Sequence, residues 1–181
     1  IGVTGPMENT TEEDMKIAFQ TNFYGPISAI KECIPSMRKN GSGLIINITS
    51  IMGYFALPYR GVYSATKSSL ETIGEAFSME LKKFNIRVVN IAPGDFKTDI
   101  ISRRLNSTAE TNSIYEEDYI KSLKSANDHV LNALSPIIIS KLVLKIIKSK
   151  NPKIHYKVGT FIQKFSIILK RILPDRDRKS T

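Results

Sequence analysis

The chain of 181 residues, 41% of them hydrophobic, is long enough for one domain with a real core and too short for two of ordinary size. Its single cysteine, Cys33, excludes an internal disulfide framework and a cysteine-based zinc site, and two histidines, His129 and His155, argue against a histidine metal centre. The formal net charge of +9 is unevenly placed: residues 1–99 are balanced, and the whole excess falls in 100–181. Without clustered aromatics or a recognition motif, this bias reads as a solvated basic face and not as a nucleic-acid surface. Cys33 is expected to be a small buried hydrophobe. The opening residues carry neither a charged leader nor an apolar run, so no signal peptide or membrane span is read there and a reducing, cytoplasmic setting is expected.

The first element is a long helix over "NTTEEDMKIAFQTNFYGPISAIKECIPSMRKNGSG", opened by a capping box of Thr10 with Glu13 and stopped at Asn40-Gly41. Gly25-Pro26 inside it predicts a kink next to Asn22. "GLIINIT" follows, a short apolar run rich in β-branched residues, which predicts a strand covered on both faces and ending at Thr49-Ser50. From Val62 to Phe84 apolar residues recur at helical spacing; "NIRVVNIAPG" then repeats the buried-strand pattern and is closed by Pro93-Gly94. This alternation is the rhythm of a parallel α/β sheet.

Beyond Thr98 the chain turns polar, with a loose loop and then a helix from about Glu116 to Leu134. "SPIIISKLVLKIIKSKNP" predicts another helix, with Ser135 as cap and Pro136 in the first turn, and "KIHYKVG" a last strand. The tail sets Phe161, Ile162, Phe165, Ile168, Leu169 and Ile172 on one helical side, with Lys164, Lys170 and Arg171 on or near the other. Two readings of that helix follow: packing over a substrate pocket or a neighbouring subunit, or lying on a membrane surface. Three segments result: a core segment 1–99, a substrate-loop region 100–135, and a C-terminal region 136–181.

The chemistry is concentrated in "SIMGYFALPYRGVYSATK". Tyr63 and Lys67 are four residues apart, share a helix face, and bring an ammonium near a phenol, which favours phenolate and lets tyrosine exchange a proton near neutral pH. Ser50, at the end of the preceding strand, offers a hydroxyl to a substrate oxygen. A tyrosine–lysine pair at this spacing is unspecific by itself, since about 0.7 such pairs arise by chance in a chain of this composition. The conjunction is specific: a buried strand ending in Ser50, Tyr63 thirteen residues on, Lys67 four further, then a second buried strand ending in Pro93-Gly94 with Thr98 behind it.

That conjunction resembles the short-chain dehydrogenase/reductase family, as does "TNFYGPISAI" with Asn22. The wording of "GPMENTTEEDMKIAFQTNFYG", "YSATKSSLETIGEAFSMEL" and "RVVNIAPG" is similar to the branch with 17β-hydroxysteroid and retinol dehydrogenases. The resemblance implies a Rossmann-like, doubly wound parallel sheet and NAD(P)-dependent interconversion of a secondary alcohol and a ketone. Tyr63 would be the proton donor or acceptor. Lys67 would depress its pKa and bind the nicotinamide ribose, Ser50 would polarise the substrate oxygen, and Asn22 would hold the helix kink and a relay water. Pro93, Gly94 and Thr98 would lie against the nicotinamide end of the cofactor. The helices around 11–39 and Tyr63 resemble those that pair subunits, which implies a homodimer or homotetramer.

The family's TGxxxGxG loop and NNAG segment are absent, and residue 1 falls where the family sequence would continue from NNAG. The expectation is a piece of a longer protein of roughly 250–280 residues, without the first four strands and inactive alone. The residues that would choose NADP or NAD then lie outside it, and an open apolar edge is expected beside "LIINI". The competing reading keeps the fold as a non-catalytic binding or scaffold protein.

Overall fold

The computed structural model describes residues 1–106 and 114–172, with the side chains of Arg171 and Ile172 and everything after them outside the described residues. The predicted parallel sheet is present. Strands β2 (Gly43–Ile48), β3 (Ile86–Pro93) and β5 (His155–Val158) lie side by side in the order β2-β3-β5, all parallel, with Ile45 against Val88 and Ile91 against Tyr156. A second parallel pair joins β1 (Val3–Thr4) to β4 (Leu105–Asn106), inside the stretch expected to be a loose loop. Among the described residues β2 pairs with β3 alone, so the expected open edge exists, and Ile48 at its end is half-exposed.

Alternation along β3 sends its side chains to two cores, the physical basis of a doubly wound sheet. Ile86 and Val88 meet Ile30 and Leu81 from helices α2 (Gly25–Lys39) and α3 (Gly61–Leu81). Val89 and Ile91 meet Ile146 of α5 (Ile137–Lys148) on the other face. Between the layers, Asn90 is fully buried: its amide donates to the Glu71 carbonyl at 2.8 Å and its oxygen accepts from Asn47 at 3.0 Å. Gly74 makes this approach feasible, because a Cβ there would overlap the Asn90 carboxamide.

Several local expectations shift. The first helix, α1 (Glu12–Phe19), is capped by Thr11, whose hydroxyl accepts from the Asp14 amide at 3.0 Å. Thr10 instead donates to the Pro6 carbonyl at 2.9 Å, closing the turn before the helix. Proline does not break the helix. The hydrogen bonds step to a π-helical turn over Gln20–Tyr24, Gly25 bonds back to Gln20, and Pro26 opens α2, where its missing N–H costs little.

Cys33 is exposed, not buried: Ile30, Ile34 and Met37 form the stripe on the sheet, and Cys33 falls on its flank. Helix α4 (Glu116–Leu131) stops short of Leu134, which bridges to Phe96 instead, with the Lys97 amide donating to the Leu134 carbonyl at 3.0 Å. Ser135 caps weakly, accepting from the Ile137 amide at 3.4 Å. The last helix, α6 (Phe161–Ile172), follows β5 directly. No described helix is long and apolar enough to cross a membrane.

Candidate active site

The parallel strands β2 and β3 end beside each other, and the carboxyl ends of such strands are where an open α/β sheet holds its ligands. Thr49 continues the β2–β3 pairing, its amide donating to the Ile91 carbonyl at 2.8 Å. Ser50 leaves the sheet as the N-cap of a single 3-10 turn, Ile51–Gly53, its buried hydroxyl accepting from the Met52 amide at 3.2 Å. That turn lies directly on α3. A Cβ on Gly53 would sit 3.1 Å from the Lys67 backbone, so glycine lets the loop pass close to the helix.

The chain returns to α3 through Tyr59, which takes a left-handed backbone (φ 62°), a strained state for a bulky residue. It is held by its carbonyl, which accepts from the Gly5 amide at 2.9 Å, and by its ring, 5.5 Å from that of Tyr119. The reversal starts α3 at Gly61 and brings the Tyr63 phenol within hydrogen-bonding reach of the Ser50 hydroxyl.

Lys67 lies one helical turn on, its Nζ 5.9 Å from the centre of the Tyr63 ring and donating to the Ile48 carbonyl at 3.1 Å. Burial lowers its ammonium to about 8. The expectation that Lys67 depresses the tyrosine is not what this geometry gives. Burial holds the Tyr63 phenol above its ordinary value. Opposing that burial are first the Ser50 hydrogen bond, then the charges of Arg60 and Arg104, while Asp95 works with it. Lys67 lies beside the ring and turns its ammonium to the strand end.

Asn22, buried in the π-helical turn, is tied to α3 by its amide, which donates to Thr66 Oγ1 at 3.1 Å and to the Ile1 carbonyl at 2.8 Å. It therefore sits one residue from Lys67 along α3. Pro93 closes β3, and the Gly94 amide donates to the Val158 carbonyl at 2.6 Å. Thr98 is exposed on a turn, its hydroxyl donating to the Phe96 carbonyl at 3.4 Å.

Three charged groups around Tyr63 went unread in the sequence. Arg60 precedes α3, Asp95 follows β3 and Arg104 precedes β4, and they come together only through the fold. Arg60 adds a contact to Met52 Sδ at 3.8 Å, and Arg104 donates to Asn127 Oδ1 at 3.0 Å. A fourth feature is a buried brace on the same helix face, one turn beyond Lys67. Glu71 Oε1 accepts from the Tyr54 hydroxyl at 2.5 Å and lies 2.7 Å from His155 Nδ1, whose Nε2 lies 3.0 Å from Glu75. It fastens the loop after Ser50 and strand β5 to α3. The i, i+4 series Tyr63, Lys67, Glu71, Glu75 was the visible signal for it.

The residues fit a nicotinamide cofactor. Lys67 spends one of its three protons on Ile48, leaving others for hydroxyl groups, and Ser50 and Pro93-Gly94 stand at the carboxyl ends of the paired strands β2 and β3.

Residues 1–109 match the short chain dehydrogenase family. The chain is 36% identical to a 3-ketodihydrosphingosine reductase of Bacteroides thetaiotaomicron over 97% of its own length and 65% of that protein. It is 29% identical to retinol dehydrogenase 8 of Bos taurus, covering 88% of the chain and 54% of that protein. The chain thus spans less than two thirds of these curated relatives. Its fold superposes on a short chain dehydrogenase/reductase of Burkholderia phymatum in complex with NAD, with TM-score 0.81 at 17% identity, covering 100% of this chain and 66% of that one.

Proposed function

The chain belongs to the short-chain dehydrogenase family, and from that premise we propose that the complete protein is an NAD(P)-dependent oxidoreductase that interconverts a ketone and a secondary alcohol, with Tyr63 as the proton donor. The observation that carries this reading is the convergence of Ser50, Tyr63 and Lys67 at the ends of β2 and α3. A bound nicotinamide would supply or accept the hydride, held by Lys67 and the Pro93-Gly94 segment.

The chain's own part is to orient the substrate and move one proton. Ser50 donates a hydrogen bond to the carbonyl oxygen and polarises it. Tyr63, whose burial holds the phenol above its ordinary value, gives its phenolic proton to that oxygen as negative charge develops there; with the hydride that a bound nicotinamide would supply, the ketone becomes the alcohol and the tyrosine a phenolate. Arg60 and Arg104 then face the phenolate with positive charge. Asn22 positions α3 through Thr66, and Thr98 is proposed to reach the cofactor only from its surface turn. A held-back phenol suits the reductive direction. The 3-ketodihydrosphingosine reductase relative favours a ketone on a long aliphatic chain. The cytoplasm is the proposed compartment and residues 100–135 the proposed substrate loop. A second copy is the proposed subunit partner, through the outer faces of α2 and α3, where Tyr24 beside α2 and Met79 are exposed.

The test is reduction of 3-ketodihydrosphingosine by the complete protein with NADPH or NADH. Tyr63→Phe keeps the ring and removes the proton, so turnover should fall by about 10³-fold, with cofactor binding retained. A Tyr63→Phe enzyme with wild-type turnover excludes the assigned role.

A further inference from the structure

Helix α6 is mounted with its apolar face outward. Its inner side holds Gln163, whose amide donates to Asp95 Oδ2 at 2.7 Å, and Lys170, whose ammonium donates to the Tyr54 carbonyl at 2.9 Å. Between them Ile167, 2% exposed, packs against Ile51 and Ala92. At 100° per residue these three occupy one arc, and Phe161, Ile162, Phe165, Ile168 and Leu169 occupy the opposite one. Phe161 is 77% exposed and Ile162 79%, and the rings of Phe161 and Phe165 stack on the surface, 5.8 Å apart. A helix that packs its two polar anchors inward and five large apolar groups outward is built to be covered from outside.

The charge of this region selects the cover. From His129 to Pro174 the chain holds nine basic residues and no acidic one; Lys141, Lys145, Lys148 and Lys150 belong to α5 and its end, on the other face of the sheet, and Lys153, Lys157, Lys164, Lys170 and Arg171 fall in β5, α6 and the segment leading to them. A second copy brought face to face would set two such segments against each other. A negatively charged bilayer surface answers both features at once: its acyl boundary takes the apolar arc and its headgroups take Lys164 at the edge of that arc, in a segment free of acidic side chains. We propose that α6 is a bilayer-docking helix, which binds anionic lipid surfaces through Phe161, Ile162, Phe165, Ile168 and Leu169, with Lys164 at the edge of that face.

The experiment is co-sedimentation of the complete protein with vesicles of phosphatidylcholine alone or containing phosphatidylglycerol. Binding to the anionic vesicles is expected, with weakening as salt rises from 0.1 to about 0.5 M. Replacing Phe161 and Ile162 together by serine removes groups that are 77% and 79% exposed, so the thermal midpoint should stay in place while partitioning falls at least about tenfold. Lys164→Gln should weaken it by about three- to fivefold on anionic vesicles and leave neutral ones unaffected. Folded wild type that stays in the supernatant with anionic vesicles overturns the proposal, as does equal sedimentation of wild type and double variant. A double variant that loses subunit mass in light scattering, with unchanged vesicle binding, assigns the face to a second copy and overturns it too.

Discussion

Helices α3 and α6 both break the rule that a helix turns its apolar side inward, and they break it for opposite reasons. The buried side of α3 includes Ser64, Thr66 and Glu71 among Val62, Leu70 and Leu81. Thr66 is held by Asn22, and Glu71 by Tyr54 and His155, so this polar burial is organised around the neighbours of Tyr63 and Lys67. In α6 the polar side faces the body and the apolar side faces out. Amphipathicity, then, says that a helix has two different faces. Which one meets the core is decided by what the rest of the molecule offers: a buried sheet with Asn90 in it for α3, Asp95 and the backbone carbonyl of Tyr54 for α6.

The largest expected effect strikes the α3 side. Gly74→Ala should destabilise the protein by about 4 kcal/mol in urea titration, because the new methyl displaces Asn90 and frees both its hydrogen bonds in a dry site. A loss below 1 kcal/mol would show that the interface between α3 and β3 yields easily, and the contrast with α6 would fade.

Lys67→Met comes next and should act with opposite signs on activity and stability. The folded lysine has its pKa lowered to about 8, so below that pH folding carries the cost of a partly desolvated ammonium. Between about 8 and the ordinary lysine value the unfolded chain binds more protons than the folded one, and wild-type stability gains with rising pH through that window. The methionine variant should therefore be more stable than wild type at pH 7, by up to about 3 kcal/mol, with the gap closing towards pH 10 and catalysis lost at every pH. Parallel urea curves at the two pH values measure this.

The smallest effects sharpen the picture of α6. Ile167→Ala should cost about 2 kcal/mol and Ile168→Ala less than about 0.5 kcal/mol, although the two residues are adjacent and identical. Equal costs would mean that α6 is rotated from the orientation described.

Much of this molecule could be read before it was folded. The β-branched runs gave β2 and β3 because a strand buried on both faces leaves no room for polar residues, and the Ser50, Tyr63, Lys67 spacing placed three groups that do meet. What escaped depends on the third dimension. Arg60, Asp95 and Arg104 lie on three separate segments, and no local pattern links them to Tyr63. The sign of the shift at Tyr63 was misread since spacing reports that Lys67 shares its face but not that its ammonium turns to Ile48. Thr10 and Thr11 are equivalent in composition, and only the bond from Thr10 to Pro6 decides which one caps α1. The apolar arc of α6 was visible, but Ile167, the residue that anchors it, lies outside that arc.

Gln163 sits in a notch between Gly94 and Gly159, where any larger residue at either position would meet its carboxamide, and from that notch it grips Asp95. Asp95 is one of the charges that set the Tyr63 phenol. The helix that faces outward thus holds the far end of a short lever, whose near end is a charge that acts on the Tyr63 phenol. The outermost face of the molecule is thereby linked, through one side-chain hydrogen bond, to a charge at its candidate site.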